Sequence, residues 1–345
     1  MNRIALIGCG HIGTVHSYAL GQLSRAGLID ACVATTFDTD LSRAEEVARH
    51  HRAAVAGSLE EALEGADVAW ICTWTSEHLR AVRAACDRGM ATFCEKPLAP
   101  TLDDCRLIAA ALEQVPHQVG LVLRHAPVFR NAAKLIGSGR FGKPLALTLR
   151  NDQYFPIQGV YGSTWRSDVQ LAGGGTLIEH SIHDVDLISW LLGPPDRLSA
   201  STSSMFGFEG IEDSATVVFE HASGVIATLV SIWHRVMSRP STRRLEIFFE
   251  EAFAWTEDDY LGPLHVQTSD GLEEIAGAAP PWTDRLGVPE VYAKPLAQYC
   301  EPSKEFLDKL ATSGDSARGE PDVRTALAAH ELVDAAYRSA ARGVR

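Results

Sequence analysis

Apolar runs and amphipathic stretches alternate regularly along the first third of the chain. Arg3-Ile-Ala-Leu-Ile7 reads as a buried strand that breaks at Gly8-Cys-Gly10-His-Ile-Gly13, with helix-compatible residues from Thr14 to Leu23. Asp30–Phe37 reads as a second strand ending at Asp38, and Leu41–His51 as a helix. Ser58-Leu-Glu-Glu61 has the serine and glutamate of a capping box. Asp67–Cys72 predicts a strand, Ser76–Gly89 a helix closed by glycine, and Ala91–Cys94 another strand. A helix from Thr101 to Gln114 and a strand over Gln118–Leu123 complete the series. Such alternation predicts a parallel sheet wound with helices on both faces, over residues 1–124.

From residue 125 the period changes. A helix over Val128–Gly137 precedes a strand over Leu145–Asp152, an aromatic and polar loop to Val169, and the glycine run Gly173–Gly175. One helix is expected over Thr176–Leu192. Alternating stretches at Arg197–Met205, Ala215–Glu220, Val225–Ile232 and Arg244–Glu250 predict an antiparallel meander, and helices return at Lys294–Ala311 and Pro321–Ala341. Residues 125–345 therefore read as a second, α+β domain, with its last helix able to pack back on the first.

The glycine turn has the G-x-G-x-x-G spacing of a dinucleotide site. Gly8 allows the tight turn, Gly10 lets a pyrophosphate approach the backbone, and Gly13 lets helix and strand pack closely. His11 and Ile12 lie inside that turn, at a helix N-terminus that favours negative charge. Asp38 is placed to accept a bond from an adenosine ribose and to repel a 2′-phosphate, so NAD is expected over NADP. The plainer alternative is that Asp38 and Asp40 only cap the next helix. Ligands on such sheets bind beyond the strand ends, which adds Thr73, Trp74, His78, Glu95 and Lys96 to the cofactor candidates, and draws attention to Arg124.

Composition narrows the function classes. The chain has 345 residues, is 46% apolar and carries a formal charge of −13, which disfavours nucleic acid or an anionic membrane as partner. No apolar run approaches the ~20 residues of a membrane span, and no signal peptide precedes the first strand, so a cytoplasmic location is expected. Seven scattered cysteines without a C-x-x-C pair read as reduced, mostly buried small residues.

Two constellations carry chemistry. Lys96, in Glu95-Lys96-Pro97 at a strand end, can donate to a substrate hydroxyl and stabilise developing alkoxide charge; Pro97 can sit behind a cis bond. In the glycine-led stretch ending Glu179-His180-Ser-Ile-His183-Asp184-Val-Asp186, Glu179 and His183 are i and i+4 on the expected helix, suiting a general base and a carboxylate that orients it. Metal ligation by Glu179, His180, His183 and Asp184 is a competing reading, but no H-E-x-x-H spacing is present, and no metal is expected.

The glycine turn, Thr73-Trp-Thr-Ser-Glu-His78, Glu95-Lys96-Pro97 and the Gly-Gly-Gly…Glu179…His183…Asp186 segment, in that order, resemble the Gfo/Idh/MocA family of nicotinamide-dependent sugar and cyclitol oxidoreductases. The resemblance implies a Rossmann domain followed by a domain with a large open, mostly antiparallel sheet, and a homodimer or homotetramer. It matches Lys96 and His183 to the family's catalytic lysine and histidine, with Glu179 where aspartate is usual. Trp74 and Thr75 depart from the family's proline and asparagine. Tyr154, Trp165, Arg166, Arg124 and His180 are the candidates for substrate contact, since aromatic faces suit a sugar ring and arginine forks suit its polar groups. The expected reaction is NAD-dependent oxidation of a secondary alcohol of a sugar, sugar derivative or cyclitol. The alternatives are a non-catalytic nicotinamide-binding sensor or scaffold, and an enzyme recycling tightly bound NADP.

Overall fold

The protein is described here from a computed structural model covering residues 1–343. The chain divides into two compact units, one formed by Met1–Val122 with Ala279–Leu327, the other by Leu123–Ala278 with the residues from Ala328 onward.

In the first unit, strands β1 (Asn2–Ile7), β2 (Ala31–Phe37), β3 (Ala54–Val55), β4 (Val68–Ile71), β5 (Ala91–Cys94) and β6 (His117–Val119) form one sheet in the order β3-β2-β1-β4-β5-β6. All its pairings are parallel. Both faces are covered, which is why β1, β4 and β5 read as continuous apolar runs. Helices α1 (His11–Arg25), α2 (Leu41–His51), α3 (Leu59–Leu63), α4 (His78–Cys86) and α5 (Leu102–Leu112) make the connections. Ser58 caps α3 by accepting from the Glu61 N–H at 3.1 Å, while the Glu61 carboxylate reaches back to the Gly57 N–H at 2.7 Å. Thr101 caps α5 in the same way. In the core Trp70 stacks on Phe93, ring centroids 4.2 Å apart and interplanar angle 7°. Helix α1 begins at His11, earlier than the expected Thr14, because the glycine turn itself forms the helix start.

A short helical turn over Val122–His125 replaces the end of the strand expected to reach Leu123. Helix α6 (Pro127–Ser138) follows, then β7 (Pro144–Tyr154), the short helices α7 (Val169–Ala172) and α8 (Thr176–Glu179), and α9 (Ile182–Leu192). Strands β8 (Arg197–Ser203), β9 (Ser214–Glu220), β10 (Ile226–His234), β11 (Thr242–Phe249), β12 (Phe253–Thr256), β13 (Leu264–Thr268) and β14 (Gly271–Ile275) complete an eight-stranded sheet. Its order is β14-β13-β12-β11-β7-β10-β9-β8, so the sheet is not the simple meander expected from the alternation. The earlier strand β7 lies between β10 and β11, parallel to the first and antiparallel to the second. Hydrophobic alternation marks which face of a strand is buried but says nothing about its neighbours.

The chain then re-enters the first unit, where α10 (Glu290–Ser313) packs on α1 through Leu296 and Cys300 against Ala19 and Leu23. Helix α11 (Val323–Gly343) follows. All seven cysteines are free, and no described helix is long and apolar enough to cross a membrane.

Candidate active site

The dinucleotide site is built at the C-terminal edge of the parallel sheet in the first unit. Gly8 has φ of +91°, and a Cβ on it would lie 2.6 Å from the Cys72 carbonyl carbon. A Cβ on Gly13 would lie 2.0 Å from the Gly8 oxygen, so helix and strand meet only because both residues are glycine. Above Gly10 the nearest heavy atom to such a Cβ is an Arg43 nitrogen at 3.9 Å, leaving the room a pyrophosphate needs. No acid lies in the first turn of α1 and no side chain caps it, whereas side chains cap α2, α3 and α5, so its N-terminal N–H groups are left for an anion. His11 is exposed and Ile12 half-buried.

Of the two aspartates, only Asp40 caps the next helix, α2, accepting from the Ser42 N–H at 3.1 Å. Asp38 instead braces the glycine turn: one oxygen accepts from the Cys9 N–H at 2.7 Å and the other from the Asp40 N–H at 2.8 Å. After β4, the hydroxyls of Thr73 and Ser76 are buried with no hydrogen-bond partner among the described residues. Together with the open Gly10 cradle, these orphaned hydroxyls fit a polar dinucleotide laid across this edge. Trp74 lies between them in the chain, 44% exposed.

Two of the expected cofactor contacts take other positions. His78 is fully buried; Nδ1 lies 2.8 Å from the Pro97 oxygen and 3.2 Å from that of Leu98, and Nε2 lies 3.2 Å from the Thr73 oxygen. It is a strut between the β4 and β5 loops, buried because it opens α4 on its sheet-facing side. Glu95 likewise turns inward, with Oε1 2.7 Å from His16 Nε2 and Oε2 accepting from the Lys96 N–H at 2.9 Å. Burial pushes its carboxyl upward, but the His16 bond and charge and the nearby Lys96 outweigh that and hold it below the usual carboxylate range. The Lys96–Pro97 bond is cis, and Lys96 itself is half-buried.

The second unit holds the other group of candidates. Here the single helix expected over Thr176–Leu192 is interrupted at His180–Ser181, between α8 and α9. The Ser181 N–H bonds back to the Thr176 oxygen, five residues earlier, and its hydroxyl bonds Ser231 at 2.7 Å and receives from Asn151 at 3.1 Å. Those side-chain partners compete with the helical ladder, so Glu179 ends one helix, His180 is its C-cap and His183 lies in the first turn of the next; the i, i+4 relation on a continuous helix does not hold. The Glu179 carboxylate is buried and accepts from Arg166 Nε at 2.9 Å, and that guanidinium lies over the Trp165 ring, 4.4 Å from its centroid. Tyr154 packs against Tyr161 with ring centroids 5.5 Å apart. Arg124, expected at the substrate, is tied to Asp186 by two bonds of 2.8 and 2.5 Å and lies over Trp190. Burial raises the Asp186 carboxyl, and Arg124 opposes the shift.

The sequence reading missed the supports of this segment. Glu212 accepts from the Gly175 and Leu177 N–H groups at 2.7 and 2.8 Å and from the Tyr337 hydroxyl at 2.9 Å. A Cβ on Gly174 would lie 2.5 Å from the Tyr337 hydroxyl and one on Gly175 1.8 Å from the Glu212 oxygen, which accounts for two of the three glycines. Behind α9, buried Arg243 donates to Asp184 at 2.8 Å and Asp259 at 2.9 Å, and Asn151 donates to Asp184 at 2.6 Å. A signal existed: Asn151, Ser231 and Arg243 fall in the buried phase of their strands, in step with Leu149, Leu229 and Leu245. Among the described residues no three metal-type side chains converge.

A dinucleotide-binding parallel sheet followed by a unit with a large open sheet defines a class of two-part nicotinamide oxidoreductases. Residues 2–122 match the oxidoreductase-family NAD-binding Rossmann fold, and residues 129–254 match the GFO/IDH/MocA C-terminal domain. The chain belongs to the Gfo/Idh/MocA family. It is 30% identical over 236 residues to a 1,5-anhydro-D-fructose reductase of Ensifer adhaerens, covering 66% of this chain and 68% of that one. To an inositol 2-dehydrogenase of Rhizobium meliloti (strain 1021) it is 28% identical, covering 98% and 97%. A levoglucosan dehydrogenase solved with NADH and levoglucosan shares the fold at a TM-score of 0.86 and 21% identity, covering 99% of this chain and 97% of that one.

Proposed function

We propose that this protein is an NAD-dependent dehydrogenase oxidising a secondary alcohol of a sugar, sugar derivative or cyclitol. The observation that carries the reading is the Glu95-Lys96-Pro97 segment at the ligand end of β5, its backbone held by Glu95 from within and by His78 from the side. A lysine so mounted can donate to the substrate oxygen and hold alkoxide character as the proton leaves. His183 takes that proton, and Glu179, oriented by Arg166, positions the base or a neighbouring hydroxyl. Bound NAD supplies the hydride acceptor. Trp165 and Tyr154 offer aromatic faces to the C–H faces of a ring, with His180 beside Glu179 in the same segment. The names of the curated relatives support the substrate class. The test is a screen of sugars and cyclitols with NAD, read at the NADH absorbance band: at least one polyol should be turned over, and silence across the panel would remove the proposal.

Asp38 is the residue proposed to read the ribose. Asp38→Ala should shift the kcat/KM preference from NAD towards NADP by about 10–100-fold, the worth of one or two hydrogen bonds to a charged group. Steady-state kinetics with both cofactors checks this; an unchanged ratio would assign Asp38 to the glycine turn alone. The same reading has the enzyme work in the cytoplasm as a homodimer or homotetramer. Its free cysteines suit a reducing compartment. The outward face of the eight-stranded sheet, with Ile226 and Phe248 both in register with Ala146 and the Phe248, Phe253 and Trp255 rings in series, supports a covered surface.

A further inference from the structure

We propose that His16, on the helix that carries the glycine turn, is the positioning residue for Lys96, acting through Glu95. The inference rests on the reading of Lys96 given above and adds a residue eighty positions away in sequence, inside the same unit.

His16 lies three residues beyond Gly13 and is fully buried. Its ring sits among Phe93, Trp70 and Tyr299, with centroids 4.9, 5.9 and 5.5 Å away. Its one hydrogen bond runs from Nε2 to Glu95, and Nδ1 has no partner among the described residues. Facing a carboxylate, Nε2 is the donor of this pair, and its N–H bonds an ionised Glu95. The other oxygen of that carboxylate holds the Lys96 N–H. Opposite, a Cβ on Gly120 would lie 2.5 Å from Glu95 Oε1, so a side chain there would push the carboxylate out of its place.

If His16 served only to fill space, any flat apolar side chain would suffice. Without the Nε2 donor, however, Glu95 keeps a buried oxygen with nothing to satisfy it. It must then either take up a proton or rotate, and both weaken its hold on the Lys96 peptide. One hydrogen bond thus joins the helix on which the dinucleotide phosphates rest to the loop that presents the amine. A displacement of the amine of about 1 Å can cost on the order of 100-fold in rate.

The experiment compares His16→Leu, His16→Gln and Glu95→Gln with the wild type. Gln places an amide donor near the Nε2 position. His16→Leu should lower kcat about 10–100-fold on the polyol found by the screen, with NAD affinity within about threefold, and His16→Gln should recover most of the loss. Independently of turnover, hydrogen exchange at the Lys96 amide should be at least about tenfold faster in His16→Leu than in wild type or His16→Gln. Should His16→Leu not fold, Glu95→Gln, isosteric but uncharged, should show the same kcat loss and fast Lys96 amide. A folded His16→Leu with wild-type kcat and a protected amide would overturn the proposal, as would a Gln variant as impaired as Leu. Lys96→Ala measured alongside separates the layers. If it keeps full turnover, the reading of Lys96 falls and this proposal with it; if it is inactive while His16→Leu is fully active, only the role of His16 falls.

Discussion

His183→Ala and Lys96→Ala should each lower kcat by about 10²–10⁴-fold while leaving NAD binding nearly unchanged. For His183 the magnitude is that of a general base positioned on the reacting proton. For Lys96 it is that of a donor aimed at charge that appears only in the transition state, so the loss should fall on kcat more than on KM. The surroundings of Lys96 make its variant informative. Because the loop is held by backbone and neighbouring side chains (Glu95 on the Lys96 N–H, His78 against the Pro97 and Leu98 oxygens), removing the amine should not move the chain. His183 stands on the first turn of α9, whose start is held by Ser181, Asn151 and Asp184, so its truncation should also be local. Steady-state kinetics with NAD titration and thermal melts would check both. Wild-type turnover in either variant, on the alcohol found by the screen, would refute the assignment of that residue.

How much of this was legible depends on whether the deciding contact was local. The first unit was readable because its strands are buried on both faces and its helices carry their own start signals: Ser58, Thr101 and Asp40 do what those residue types do at a cap. The cradle for the dinucleotide was readable for the same reason, since Gly8 and Gly13 meet each other across a short turn that Gly10 leaves open. Contacts across long sequence distances were hidden. Nothing near Glu95 announces that its partner is His16, and nothing near Ser181 announces Ser231, yet these pairings turn one side chain inward and break a helix in two. The placing of β7 between β10 and β11 is hidden in the same way, because alternation encodes a face and not a neighbour.

Arg243→Met should cost about 3–5 kcal/mol of stability, the usual penalty for removing one partner of a buried ion pair. Its side chain is 5% exposed and lies between Asp184, fully buried, and Asp259, 14% exposed. Burial would drive the guanidinium towards its neutral form, but the two carboxylates reverse that and raise its pKa. Burial already pushes the Asp259 carboxyl up, with Arg243 as the chief opposing influence. Without the cation, Asp259 should therefore rise further. A carboxyl raised above its unfolded value contributes stability below that unfolded value and loses it as pH rises through the folded one. The deficit of Arg243→Met should accordingly be largest near neutrality and shrink as the medium is acidified towards the ordinary carboxylate range. At neutral pH the melting temperature should fall on the order of 10 °C. Arg243→Lys should fall between, since one ammonium cannot reproduce separate bonds from Nε to Asp184 and from Nη1 to Asp259. A Met variant melting within about 1 °C of wild type would show that Asp184 is held adequately by Asn151 alone, which is its other hydrogen-bond donor here. The link to catalysis is one of sequence position: Asp184 directly follows His183, so the arginine that anchors the one helps to fix the backbone that carries the other.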